Sequence, residues 1–245
     1  MKKDEILIKH LKELSDRAYS KNYTAFSEFL ALDEISELKN QKTSSSYTLF
    51  GGYENAERCV AGFGDQVYDF EFPIVCIKAQ PVQQKFADKL THRDFLGMLM
   101  NLGINRNTIG DIIINDNIGY IFCLETISDY IIESANRVRH TTIKCEKVDT
   151  IPDFITKEPD SEEFLVTSLR ADSIVCAVYN LSRNKATQLF NQEKVFINSK
   201  TAYKESLMLK EEDRVTVRGF GKFIFCGRLR NTKKGKTVVE VKVYK

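Results

Sequence analysis

Leu181-Ser182-Arg183-Asn184-Lys185-Ala186 joins two short helical patterns near the C-terminus. Val175, Val178, Tyr179 and Leu181 close one apolar face, Ser182 is a good N-cap, and Ala186, Leu189 and Phe190 open the next face. The second helix therefore starts with Arg183 and Lys185 in its first turn. Unsatisfied N–H groups and the helix dipole favour anions there, so two cations at that end form a seat for phosphate. Upstream, Leu169-Arg170-Ala171-Asp172 leads into the first helix, with Asp172 placed as its N-cap. Downstream, the second helix runs to about Gln192, and Val195-Phe196-Ile197-Asn198 reads as a short strand ending in a turn at Asn198-Ser199-Lys200. A strand at Arg214–Arg218 follows, then a hairpin of Phe223–Arg230 and Thr237–Tyr244 around the basic loop that holds Lys233, Lys234 and Lys236. Two helices on a small sheet with Arg170, Arg183 and Lys185 near one edge make a compact nucleic-acid binder.

The charge supports that reading. The net charge of +2 divides unevenly: from Thr167 to Lys245 there are seventeen Lys or Arg against seven Asp or Glu, and before Thr167 nineteen against twenty-seven. An acidic body of −8 carrying a basic module of +10 points to a polyanionic partner for the module.

The body reads as two parts. In the first, residues 1–66, Asp4–Tyr19 has a helical stripe, and shorter helical patterns lie at Ala25–Leu30 and Asp33–Leu38. A hairpin follows, Tyr47–Phe50 returning as Arg58–Phe63. In the second, residues 67–150, a strand at Phe72–Ala79, a helix at Thr91–Leu102, strands at Ile109–Ile114 and Gly119–Leu124, a helix at Ile127–Val138 and a strand at Thr141–Val148 give β-α-β-β-α-β. That is the ferredoxin-like order shared with RNA-recognition (RRM-like) domains. Gly119-Tyr120-Ile121-Phe122 falls where such domains place stacking aromatics, although alternate aromatics on a strand also face cores. Residues 151–166, with Pro152, Pro159 and an acidic run, lack periodicity and are expected to link the body to a module at 167–245. The fold class is thus α+β.

Other chemistries find little footing. Six dispersed cysteines without a C-x-x-C read as reduced core thiols in a cytoplasmic protein, and no cofactor or metal is expected. No signal peptide or membrane span is expected either. His92-Arg93-Asp94 resembles a kinase catalytic loop only superficially, because the downstream asparagine and Asp-Phe-Gly are missing. Thr91 and Asp94 fit a capping pair instead, which leaves Arg93 exposed as a secondary RNA-contact candidate.

Leu169-Arg170-x-Asp172, Ser182-Arg183, Val195-x-Ile197-Asn198 and Asp213-x-Val215 resemble the S4 RNA-binding domain, with Ala171 where leucine is usual and Ser199 where glycine is. Phe50-Gly51-Gly52-Tyr53 with Ala56-Glu57-Arg58, His92-Arg93-Asp94-Phe95-Leu96-Gly97, Leu102-Gly103-Ile104 and Ile109-Gly110-Asp111-Ile112 resemble the YlmH family of bacterial S4-domain proteins. That resemblance implies a non-catalytic factor of ribosome-associated quality control. It would bind large ribosomal subunits still holding peptidyl-tRNA and aid C-terminal tailing of stalled chains, alongside other quality-control factors. Arg170 and Arg183 would be the principal contacts to ribosomal RNA and tRNA backbone. Ser182, Lys185, Asn198 and Lys200 complete the expected set, and Lys233, Lys234, Lys236 and Arg93 are secondary. Two other readings stand beside it. One is an RNA-modifying enzyme with an S4 targeting domain, for which Asp94 and Asp111 are the aspartates to try; the other is an interaction protein linked to cell division.

Overall fold

The structure, a computed structural model, describes residues 3–65, 67–68, 72–233 and 235–244. The chain divides into two compact units, residues 1–34 with 40–156 and residues 35–39 with 157–245.

The first unit opens with α1 (Lys3–Lys21), which buries Leu11, Leu14, Ser15 and Ala18. Next come β1 (Ala25–Leu30), the start of α2 (Leu32–Lys39), β2 (Tyr47–Phe50) and β3 (Cys59–Phe63), and the three strands form an antiparallel sheet in the order β1-β3-β2. Ala25–Leu30 was expected to be helical and is a strand. The misleading signal has a local cause: the register slips between Phe26 and Phe29, so Phe29 and Leu30 are both buried in succession and the period of two is broken. Ser27 sits at the irregularity, where its hydroxyl accepts from the Ala61 N–H at 2.9 Å.

The β-α-β-β-α-β order follows in β4 (Ile74–Pro81), α3 (His92–Asn101), β5 (Ile109–Asn115), β6 (Ile118–Leu124), α4 (Glu125–Ser134) and β8 (Thr141–Lys147), with the two-residue β7 (Arg137–Val138) added before β8. The sheet order β5-β6-β4-β8-β7, antiparallel throughout, is ferredoxin-like. Alternation along the strands gives this sheet two apolar faces. Ile77, Ala79, Ile121 and Cys123 meet Phe95, Leu99 and Ile131 of α3 and α4. Cys76, Tyr120 and Phe122 point the other way and are covered by Phe29, Tyr53, Val60, Phe72 and Ile155, the last from α5 (Asp153–Thr156). The surface on which RNA-recognition domains stack bases is therefore occupied by the protein's own chain. Tyr120 is 7% exposed and lies edge-on to Phe154, and Phe122 is fully buried against Tyr53. The stacking role open to Tyr120 and Phe122 in the sequence is closed here, and each such buried aromatic contributes roughly 2–3 kcal/mol.

In the second unit, β9 (Ser161–Val166), α6 (Ala171–Val178), α7 (Arg183–Asn191), β10 (Val195–Ile197), β11 (Lys200–Thr201), β12 (Asp213–Val217), β13 (Gly221–Asn231) and β14 (Thr237–Tyr244) build a sheet in the order β11-β10-β12-β13-β14-β9. Val215, Val217, Phe223, Phe225, Val239 and Val241 pack with Ile174, Val175, Ala186, Leu189 and Phe190 of the two helices. The expected linker at 151–166 is largely structured. Its last six residues are β9, which pairs with β14 from Ser161 opposite Lys242 to Val166 opposite Thr237. The acidic residues that hid the strand serve it: Glu163 takes a bidentate contact from Arg230 at 2.6 and 3.0 Å. Glu158, just before the strand, accepts from Lys242 at 2.7 Å.

Candidate nucleic-acid interface

Asp172 organises the basic end of the helix pair. It is 2% exposed, and its carboxylate accepts from the Arg170 Nε at 2.9 Å, the Arg170 guanidinium at 2.8 Å and the Ser173 N–H at 2.9 Å. The Arg183 Nε stands 3.8 Å from the same carboxylate, although Arg183 itself is 73% exposed. A buried charge is stable only when paired; here Arg170 holds the anion bidentately and Arg183 adds a second, looser cation beside it. The hydrogen bond to Asp172 also holds the Arg170 guanidinium charged by raising its pKa. The expected N-cap role of Asp172 goes instead to Arg170, which holds extended backbone before α6. The first N–H groups of that helix are taken by the following loop, Ala171 donating to the Leu207 carbonyl at 2.7 Å and Asp172 to that of Glu205 at 3.2 Å.

The start of α7 is open. The Ser182 hydroxyl accepts from the Lys185 N–H at 3.3 Å, and Ser182, Arg183, Asn184 and Lys185 are all exposed. Between α6 and β9 runs a groove of about 440 Å³ lined by Thr167, Ser168, Arg170, Ser173, Ala177 and Arg183, among others. Cations, hydroxyls and a helix N-terminus gathered around one groove suit a phosphodiester backbone.

The remaining sequence candidates divide. Lys236 precedes Thr237, which pairs with Val166 next to Thr167, so the exposed β13–β14 tip carrying Lys233 and Lys236 stands at the β9 end of the groove. Lys234 lies outside the described residues. Asn198 and Lys200 belong to the opposite edge of the sheet and do not line the groove. The Asn198 amide donates to Asp213 at 2.8 Å and its oxygen accepts from the Arg214 N–H at 3.0 Å, so it fastens a turn whose φ values, 51° at Asn198 and 60° at Ser199, are left-handed. Lys200 is exposed.

The first unit has its own polar centre. Asp111 accepts from the Tyr53 hydroxyl at 2.8 Å and from the N–H groups of Glu57 at 2.7 Å and Arg58 at 3.1 Å. The Arg58 side chain donates to the carbonyls of Ile109 and Phe29, each at 3.0 Å, and Arg106 donates to Ile109 at 2.6 Å. Burial, together with the neighbouring Arg58, brings the Arg106 pKa down to about 10. Burial and the Asp111 carboxylate push the Tyr53 phenol far up. The Asp111 contacts tie the segment after the glycine turn to β5, and Arg58 also reaches β1 through Phe29. Asp94 accepts from the Thr91 N–H at 2.9 Å and from its hydroxyl at 2.6 Å at the start of α3, and Arg93 is exposed beside it. Both aspartates named for a catalytic role thus have structural partners. Among the described residues no group of three His, Cys, Asp or Glu is arranged to hold a metal ion, and no helix is long and apolar enough to cross a membrane.

Residues 66–151 match the family model described as "Putative RNA-binding domain in YlmH". The chain is 28% identical over 196 residues to "Ribosome-associated protein quality control protein P2" of Bacillus subtilis (strain 168), covering 76% of this chain and 73% of that protein. Over these spans the chain is similar to proteins of the YlmH family. A solved structure titled "Cell division protein ylmH from Streptococcus pneumoniae" is also similar, with a TM-score of 0.47, 16% identity and coverage of 60% of this chain and 92% of that one. The residues by which the sequence resembles the YlmH family are mostly packing and positioning residues. A Cβ on Gly52, whose φ is +96°, would stand 2.5 Å from the Phe122 ring, and one on Gly110 would stand 2.6 Å from that of Phe29. Sequence reading gave Asp111 only a fallback role and missed it as the hub. It also missed that Asp172 anchors Arg170 and lies close to Arg183, though the Arg-x-Asp spacing was there to find.

Proposed function

We propose that this protein is a non-catalytic RNA-binding factor that associates with the large ribosomal subunit carrying peptidyl-tRNA and serves in ribosome-associated quality control, aiding C-terminal tailing of stalled chains. One observation carries the reading: a buried aspartate holds Arg170, with Arg183 close to the same carboxylate, beside an open, Ser182-capped helix N-terminus on a module of strongly basic composition. The domain is read as an S4 domain, bounded at about Lys157 so that β9 is included. The printed names of the matching domain family and of the Bacillus subtilis relative support RNA and the ribosome as partners.

The test is cosedimentation with purified large subunits, with and without peptidyl-tRNA, across a salt series. Arg183 is the residue to change because it is exposed, whereas removing Arg170 would strand the buried Asp172 carboxylate. Wild type is expected to prefer the tRNA-bearing subunit and Arg183→Glu to lose most binding. Equal binding by both proteins would sink the proposal.

A further inference from the structure

The acidic first unit contains one concentrated exception to its own charge. Residues 82–94 and 137–144 carry Lys85, Lys89, Arg93, Arg137, Arg139 and Lys144 against Asp88 and Asp94 only, in a region of the chain that is otherwise strongly negative. All six cations are exposed. Thr141–Lys147 is the strand that brings the two segments together: the Val82 N–H donates to the Thr142 carbonyl at 3.0 Å, and Arg137 pairs with Thr142 across β7–β8. Asp88 accepts from the His140 N–H at 3.3 Å and Asp94 from Thr91; Arg139 lies 3.8 Å from Asp94 and Lys144 3.7 Å from Glu146, both loose surface pairs, so the cluster keeps its cationic excess.

The first of these segments also carries Phe86, 78% exposed, with the Lys85 ammonium 5.9 Å from its ring centroid. Its exposure does not come from a frayed loop. The Asp88 N–H donates to the Thr141 hydroxyl at 2.9 Å, the Asn117 amide donates to the Asp88 carbonyl at 2.8 Å, and the Leu90 N–H donates to the Asn117 oxygen at 2.9 Å. The ring borders a groove of about 380 Å³ lined by Val82, Gln83, Phe86, His140, Thr141 and Thr142. A firmly held, exposed aromatic with a lysine against it, on a stretch of chain rich in cations, is a combination that suits single strands: bases stack on the ring and phosphates meet the charges.

We infer that the Phe86 groove is a second nucleic-acid site, which takes single-stranded RNA at the β8 edge of the ferredoxin-like domain. It goes beyond the role proposed for the C-terminal groove and stands on residues of the first unit alone.

The chain has no tryptophan, so Phe86→Trp in the full-length protein is a single reporter at the site. It is titrated with an oligouridine of about twelve nucleotides and, separately, with a duplex of the same length. Saturable quenching by the single strand, weak quenching by the duplex, and about tenfold weaker oligouridine binding by Phe86→Ala in fluorescence anisotropy are the expected results. The quenching should persist when Arg183→Glu is added, since that change acts on the other groove. Unchanged emission at saturating oligouridine, wild-type affinity in Phe86→Ala, or loss of quenching on adding Arg183→Glu would each overturn the inference. Phe86 is exposed, so its variants fold as wild type does, and a circular dichroism melt verifies this.

Discussion

Asp172 and Gly52 show how single residues settle what their surroundings can do. Removing the Asp172 carboxylate leaves Arg170 without its bidentate partner beneath an apolar helix pair. Because Arg170 is still about a third exposed, the cost of Asp172→Ala is expected to be about 2 kcal/mol, less than for a fully buried pair. It would be read as a lower urea midpoint, together with loss of RNA binding although both arginines remain. Gly52→Ala combines a left-handed φ with a Cβ driven into Phe122, and is expected to destabilise the first unit by roughly 2–3 kcal/mol in the same assay. The Arg-x-Asp pair and the glycines were visible in the sequence. That Asp172 would be buried was not, because burial depends on the loop from Glu205 to Leu207 folding over the start of α6.

Among the elements, α3 offers a pH signature. Hydrogen bonds from the Thr91 hydroxyl and N–H hold the Asp94 pKa below the ordinary value of 3.8. A depressed carboxylate stabilises the fold fully above its unfolded pKa, and the contribution is lost as pH falls through the lower folded value. Wild type should therefore melt higher than Asp94→Asn at about pH 5, and the two should converge near pH 2. An unchanging gap across that range would show that Asp94 acts through packing and not through its charge. β9 supplies the other test at this scale. A fragment beginning at Lys157 keeps the strand paired with β14, whereas one beginning at Thr167 exposes the β14 edge. The longer fragment is expected to melt cooperatively, and the shorter to melt at lower temperature or aggregate, by circular dichroism. The ferredoxin-like order was legible because long apolar elements alternate cleanly. β1 and β9 were not: a register slip disguised the first, and acidic side chains that pair only with a distant hairpin disguised the second.

For the whole molecule, the separation of charge is the dominant fact. A module holding ten more cations than anions on a chain whose net charge is only +2 should bind polyanions with marked salt dependence. With roughly five phosphate contacts, log affinity should fall against log salt with a slope of about −3.5 to −4.5, and Arg183→Glu should make it shallower by about one. A slope near zero in either the cosedimentation or anisotropy series would mean that the charge division does not govern association. The division itself was plain from composition. Which cations act together was not, since sheet order sets Lys200 on the edge opposite the groove and brings the β13–β14 tip to it. One consequence of the Asp172 clamp concerns selectivity. One carboxylate stands against both the Arg170 and Arg183 guanidinium groups, so a groove that takes RNA there would measure an interval along a sugar–phosphate chain and not the identity of any base. A pool of randomised RNA enriched on this protein would then converge on a common three-dimensional form while its letters stayed scrambled.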